Sequence, residues 1–149
     1  MGIEHVFLLA SYGVVPAWLL LVVAPRARIT RLVVHSFAPC LLLAPLYGVL
    51  LFGDQPGPEG ASFFTLEGVS RIFTTPWTVT ACWIHYLVFD LFVGAWEVRD
   101  AERLGVRHLY VVPSLVLTLL FGPLGLLSWG LLRLALCRRL STEERAPAR

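Results

Sequence analysis

The chain of 149 residues has no lysine, a single methionine and four histidines, and only 15% of it is charged. Soluble domains carry about a quarter charged residues, so an ordinary soluble fold is excluded. The net charge of +2 is too small for a nucleic-acid-binding surface, and no nucleic-acid partner is expected. Cys40, Cys82 and Cys137 are odd in number, far apart and without a Cys-x-x-Cys pair. That removes both a disulfide framework and a zinc ribbon. His5, His35, His85 and His108 form none of the closely spaced histidine boxes that membrane di-iron enzymes need. Glycine-rich phosphate loops and the nucleophile elbow are also missing. Neither a cofactor nor a metal is implied. The N-terminus carries Glu4 in place of a basic region, which argues against a secretory signal.

What the chain does have is apolar length. It is 57% hydrophobic, with a mean hydropathy of +0.74. Four apolar runs cover Val6–Ala24, Leu32–Phe52, Trp77–Glu97 and His108–Leu136, separated by charged or Gly/Pro-rich segments. About 20 apolar residues cross a bilayer. The expected fold is therefore all-α and integral to the membrane, a bundle of four transmembrane helices. Residues 1–137 form one domain, and the polar residues 138–149 form a disordered tail. The fourth run is too long for one straight crossing and too short for two, and is expected to kink or break at Gly122-Pro123. Between the second and third runs, Leu66, Val69, Ile72 and Phe73 recur at helical spacing opposite Glu67, Ser70 and Arg71. This pattern suits a short helix lying in the interface. All twelve basic residues are arginines, as in a GC-rich bacterial source, so a bacterial inner (plasma) membrane is the expected location. The arginines divide six against six between the two sides, which leaves orientation to the first helix and favours both termini outside.

The third run holds the chemistry. His85 and Asp90 fall near its middle, where an aspartate costs about 3 kcal/mol to insert. Ionisable groups at that depth mark functional sites by default. Tyr86, Asp90 and Glu97 recur on one helical face. The functional reading is a polar stripe with Asp90 as a proton donor. The structural one is a hydrogen bond from Asp90 to Thr118, Ser114 or His108. Glu97, Arg99 and Asp100 fall at the interface, as a solvated ion-pair cluster or as a grip on a ligand's polar end. Trp83, Tyr86 and Phe89 belong to an aromatic group that would line a slot for a flat polyene or isoprenoid, or simply pack. Ser114, Thr118 and Gly122 form a small stripe where another helix can approach closely. Oligomerisation is compatible with such a stripe.

The run His85, Tyr86, Phe89, Asp90, Leu91, Phe92, Val93, Gly94, Trp96, Arg99, Asp100 and Ala101, followed by His108, Pro113 and the stretch Leu119–Gly125, resembles a known family. It is similar to the small membrane proteins related to plant neoxanthin synthase, first named for abscisic acid deficiency. The resemblance implies four spans and an activity on a carotenoid or related isoprenoid. The plant member's conversion opens an epoxide and yields the allenic isomer, which is redox-neutral and asks for an acid and a base in a dry site. Asp90 would be the acid, with His85 or Glu97 as base. Tyr86, Phe89, Trp83, Arg99, Asp100, His108 and Thr118 would hold the substrate. The competing readings are a non-catalytic lipid-binding or assisting membrane protein and a small proton-coupled transporter.

Overall fold

The computed structural model describes residues 2–53, 57–139 and 141–142, and every element among them is helical. The chain divides into two compact units, residues 1–96 and 97–149.

In the first unit, α1 (Ile3–Gly13) passes into α2 (Val15–Val23) at Val14. Pro16 stands in the first turn of α2, where its missing N–H costs no hydrogen bond. Ala10, Val14, Trp18 and Leu21 make the buried stripe, at steps of three and four residues. The Thr30 hydroxyl then donates to the carbonyl of Ala24 at 2.6 Å and closes the turn into α3 (Arg28–Val33).

The expected second span, Leu32–Phe52, is not one helix. α3 stops at Val33 and α4 runs only over Ala38–Phe52. Pro39 explains the gap: it has no N–H to donate to the carbonyl of His35, so the helix cannot run through and restarts with Pro39 in its first turn. The 15 residues of α4 reach roughly 22 Å at 1.5 Å per residue, short of a hydrocarbon core of about 30 Å. α5 (Leu66–Ile72) is the expected short helix, capped by Thr65, whose hydroxyl accepts from the Gly68 N–H at 3.0 Å.

Pro76 opens α6 (Pro76–Arg103), the longest helix. Its seam in the first unit is Ala81, Ile84, Leu91 and Ala95, all buried. The Trp83 indole donates to the Ser11 hydroxyl at 2.9 Å and ties α6 to α1. The charged segment that follows Glu97, between the third and fourth apolar runs, continues this helix to Arg103. Among the described residues, Ile3–Val23 and Pro76–Arg103 are the two stretches long and apolar enough to cross a membrane.

The second unit begins in the last two turns of α6. Gly105, at φ 69°, turns the chain into a short 3-10 stretch, His108–Tyr110, and then α7 (Val112–Phe121). α8 (Pro123–Cys137) follows after one residue, Gly122. A merely kinked helix would hold Ser114 and Ser128 about 20 Å apart. Their hydroxyls instead share a hydrogen bond at 3.1 Å. The break expected at Gly122-Pro123 is thus a reversal, and α7 and α8 are an antiparallel hairpin. Gly122 takes φ 30° and ψ −85° there, a conformation that L side chains rarely adopt. Gly125 lies so close on α7 that a Cβ would stand 2.4 Å from the Thr118 Cα.

Candidate functional site

Four residues of α6 and α8 build a buried polar cluster in the second unit. Glu97 and Asp100 are one turn apart on α6, and Trp129 and Arg133 are one turn apart on α8. Glu97 and Asp100 are wholly buried, and Arg133 is 4% exposed. The outer face of the same helix is apolar, with Leu124, Leu127, Leu131 and Leu136 more than half exposed. Buried charges beneath exposed leucines invert the usual order of a water-soluble domain.

Asp100 is fully engaged. Trp129 Nε1 donates to its Oδ2 at 3.0 Å. Arg133 Nε lies 2.6 Å from the same oxygen as an ion-pair contact, and Arg133 Nη2 donates to Oδ1 at 3.4 Å. Arg103, one turn on, bonds Oδ1 from the half-open side. Arg133 Nη2 also donates to the carbonyl of Ser141 at 2.8 Å, so part of the expected disordered tail is tied back. Leu140 and residues 143–149 of that tail lie outside the described residues.

Glu97 is held on one side only. Thr118 donates to its Oε1 at 3.0 Å. Its Oε2 is buried and has no hydrogen-bond partner among the described residues. Buried carboxylate oxygens are nearly always bonded, and an exception calls for an explanation. Gly125 makes this arrangement possible, because it lets α8 press on Thr118 and hold that hydroxyl against α6.

The residues singled out from the sequence therefore fall into separate places. Glu97, Asp100 and Thr118 come together in the second unit. They are dry, not the solvated interface cluster that position alone suggested, because α8 returns over them. Arg99 and His108 are half-buried, and each has an interaction partner. In the first unit, Asp90 is half-buried. Thr118 and Ser114, weighed as its hydrogen-bond partners, are engaged with Glu97 and Ser128. His85 stacks on Phe89 with ring centroids 4.6 Å apart, and Tyr47 and Tyr86 complete the group at 5.9 and 6.1 Å. Trp83, Tyr86 and Phe89 are largely exposed, so the face expected to run from Tyr86 to Glu97 changes from open to buried along α6. Trp129 and Arg133 were not singled out. An arginine within an apolar run, four residues after a tryptophan, was the available signal.

The family model described as ABA DEFICIENT 4-like matches residues 5–129, most of the chain. The chain belongs to the ABA DEFICIENT 4-like family. The match takes in Asp90, Glu97, Asp100, Thr118 and Trp129 and stops short of Arg133. Among relatives, the protein ABA DEFICIENT 4, chloroplastic, of Arabidopsis thaliana is 33% identical over 135 residues, covering 84% of this chain. The chain spans 59% of the length of that relative. No solved structure matches this family member.

Proposed function

We propose that this chain is an integral membrane protein that acts on a carotenoid or related isoprenoid lipid by redox-neutral acid/base isomerisation, with Glu97 as a proton-carrying group. The observation that carries the reading is the free Oε2 of a wholly buried glutamate. Membrane embedding is supported by two helices of spanning length and by the exposed leucines around a charged interior. The substrate class is supported by the family and by what the resemblance to neoxanthin-synthase-like proteins implies. A bacterial inner membrane is supported by the all-arginine basic set.

The cluster divides labour between its two carboxylates. Asp100 has its acceptor sites filled by two arginines and an indole, so it fixes α8 on α6. Glu97, with one oxygen uncommitted, can take or give a proton in a dry site, where such transfers contribute about 10²–10⁴-fold to a rate. Its burial requires the α7–α8 hairpin to part from α6 when a ligand enters. Asp90 and His85, ionisable groups of a membrane-length helix, are proposed as further proton-bearing groups in the first unit.

The test compares lipid extracts from cells with and without the protein, followed by incubation of the purified protein with the lipid that changes. An isomer of unchanged mass supports the reading. A pigment or lipid that co-purifies and is returned unaltered would favour the non-catalytic binding role instead.

A further inference from the structure

The segment from Glu59 to Ile72 presents three large apolar side chains outward. Phe63 is 79% exposed, Phe64 96% and Leu66 85%. Exposure of this kind in a loose loop would mean little, but this segment is braced. Arg71 Nη2 pairs with Glu67 at 2.7 Å, and its Nη1 donates to the carbonyl of Glu59 at 3.3 Å. Thr65 caps α5, and the Ser62 hydroxyl accepts from the Phe64 N–H at 3.2 Å. Gly68 packs so closely on Ser62 that a Cβ would come within 2.6 Å of the serine Cβ. Arg71, Ser62 and Thr65 are thus engaged in internal bonds, and the outward side chains of Phe63, Phe64 and Leu66 offer hydrocarbon alone.

We infer that Phe63, Phe64 and Leu66 form an interfacial anchor that inserts into the hydrocarbon edge of the lipid bilayer. This rests on the reading of α6 as a membrane helix. The position of the tip follows from its tie to that helix: the Thr78 hydroxyl donates to the carbonyl of Ile72, and Thr75 and Thr78 share a further bond at 2.9 Å. α5 is therefore fastened to the first turn of α6, where Trp77 stands and where a spanning helix enters the bilayer. Charge points to lipid hydrocarbon as the occupant and away from anionic headgroups. Glu59 and Glu67 outnumber Arg71, so the segment has no cationic excess to attract them.

The experiment uses the full chain with Cys40, Cys82 and Cys137 replaced by serine, reconstituted in phosphatidylcholine vesicles. Nitroxide labels are placed in three single variants, Phe64→Cys, Ser70→Cys and Leu42→Cys. Leu42 is 76% exposed on α4 and serves as the lipid-facing reference. The anchor predicts that dissolved oxygen relaxes the labels at 64 and 42 more than a water-soluble nickel chelate does, with the reverse at 70. A water-like label at 64 beside a lipid-like label at 42 overturns the anchor alone. Water-like labels at both sites overturn the membrane reading with it. Dipolar broadening at 64 would place a second copy on the tip and also overturns the proposal.

Discussion

The indole N–H of Trp129 donates to Asp100 Oδ2 at 3.0 Å across two helices, with both residues fully buried. Twenty-nine residues separate them in the chain. The bond therefore reports the return of α8 onto α6, and it is one of the contacts that fill the acceptor sites of a buried aspartate. Trp129→Phe keeps the ring and leaves that oxygen short of a donor. The expected cost is about 1–3 kcal/mol, read as a lowered midpoint of thermal unfolding in detergent.

Asp100 and Arg133 form a buried ion pair, which costs most when one partner is removed alone. Asp100→Ala strands the guanidinium of Arg133 in a dry site and is expected to destabilise by roughly 3–5 kcal/mol. Arg133→Leu together with Asp100→Leu should recover part of that loss, since it removes both buried charges but leaves the Trp129 N–H without its acceptor. Denaturant or thermal unfolding of the single and double variants checks both statements.

Gly125 has no room for a methyl group against Thr118. Gly125→Ala must push α8 off α7 and is expected to cost about 1–3 kcal/mol. It should also weaken the Thr118–Glu97 hydrogen bond. Amide exchange in α7 and α8 should rise in this variant while exchange in α1 and α2 stays as it was.

The hairpin bears on the proposed membrane topology. Arg133, near the end of α8, meets Asp100, near the end of α6, so α7 and α8 together return to the end of α6 from which they left. Reporters after Arg103 and after Thr142 are therefore expected on the same side of the membrane. A single crossing by the fourth apolar run would put them on opposite sides.

Much of this was legible in the sequence and part was not, for physical reasons. Apolar run length and proline placement gave the helices, and the small stripe at Ser114, Thr118 and Gly122 marked the surface on which α8 packs. Glu97 and Asp100 read as interfacial because their burial depends on a helix 30 residues later in the chain. A run of 29 residues, His108–Leu136, cannot by its length alone distinguish a kink from a reversal. The backbone of Gly122 decides it. His85 and Asp90 stood out because charge in an apolar run is conspicuous, whereas Arg133 carried the same signal closer to a chain end rich in arginine.

The central claim is that Glu97 moves a proton. Glu97→Gln keeps the volume and an oxygen for the Thr118 hydroxyl, and can neither deliver nor accept a proton at working pH. The measurement is the rate of product formation by purified wild-type and Glu97→Gln protein on the lipid identified by extraction, with unfolding midpoints taken on the same samples. The account predicts a fall of about 10²–10⁴-fold with the midpoint little changed. A folded Glu97→Gln protein that makes product at the wild-type rate would contradict it.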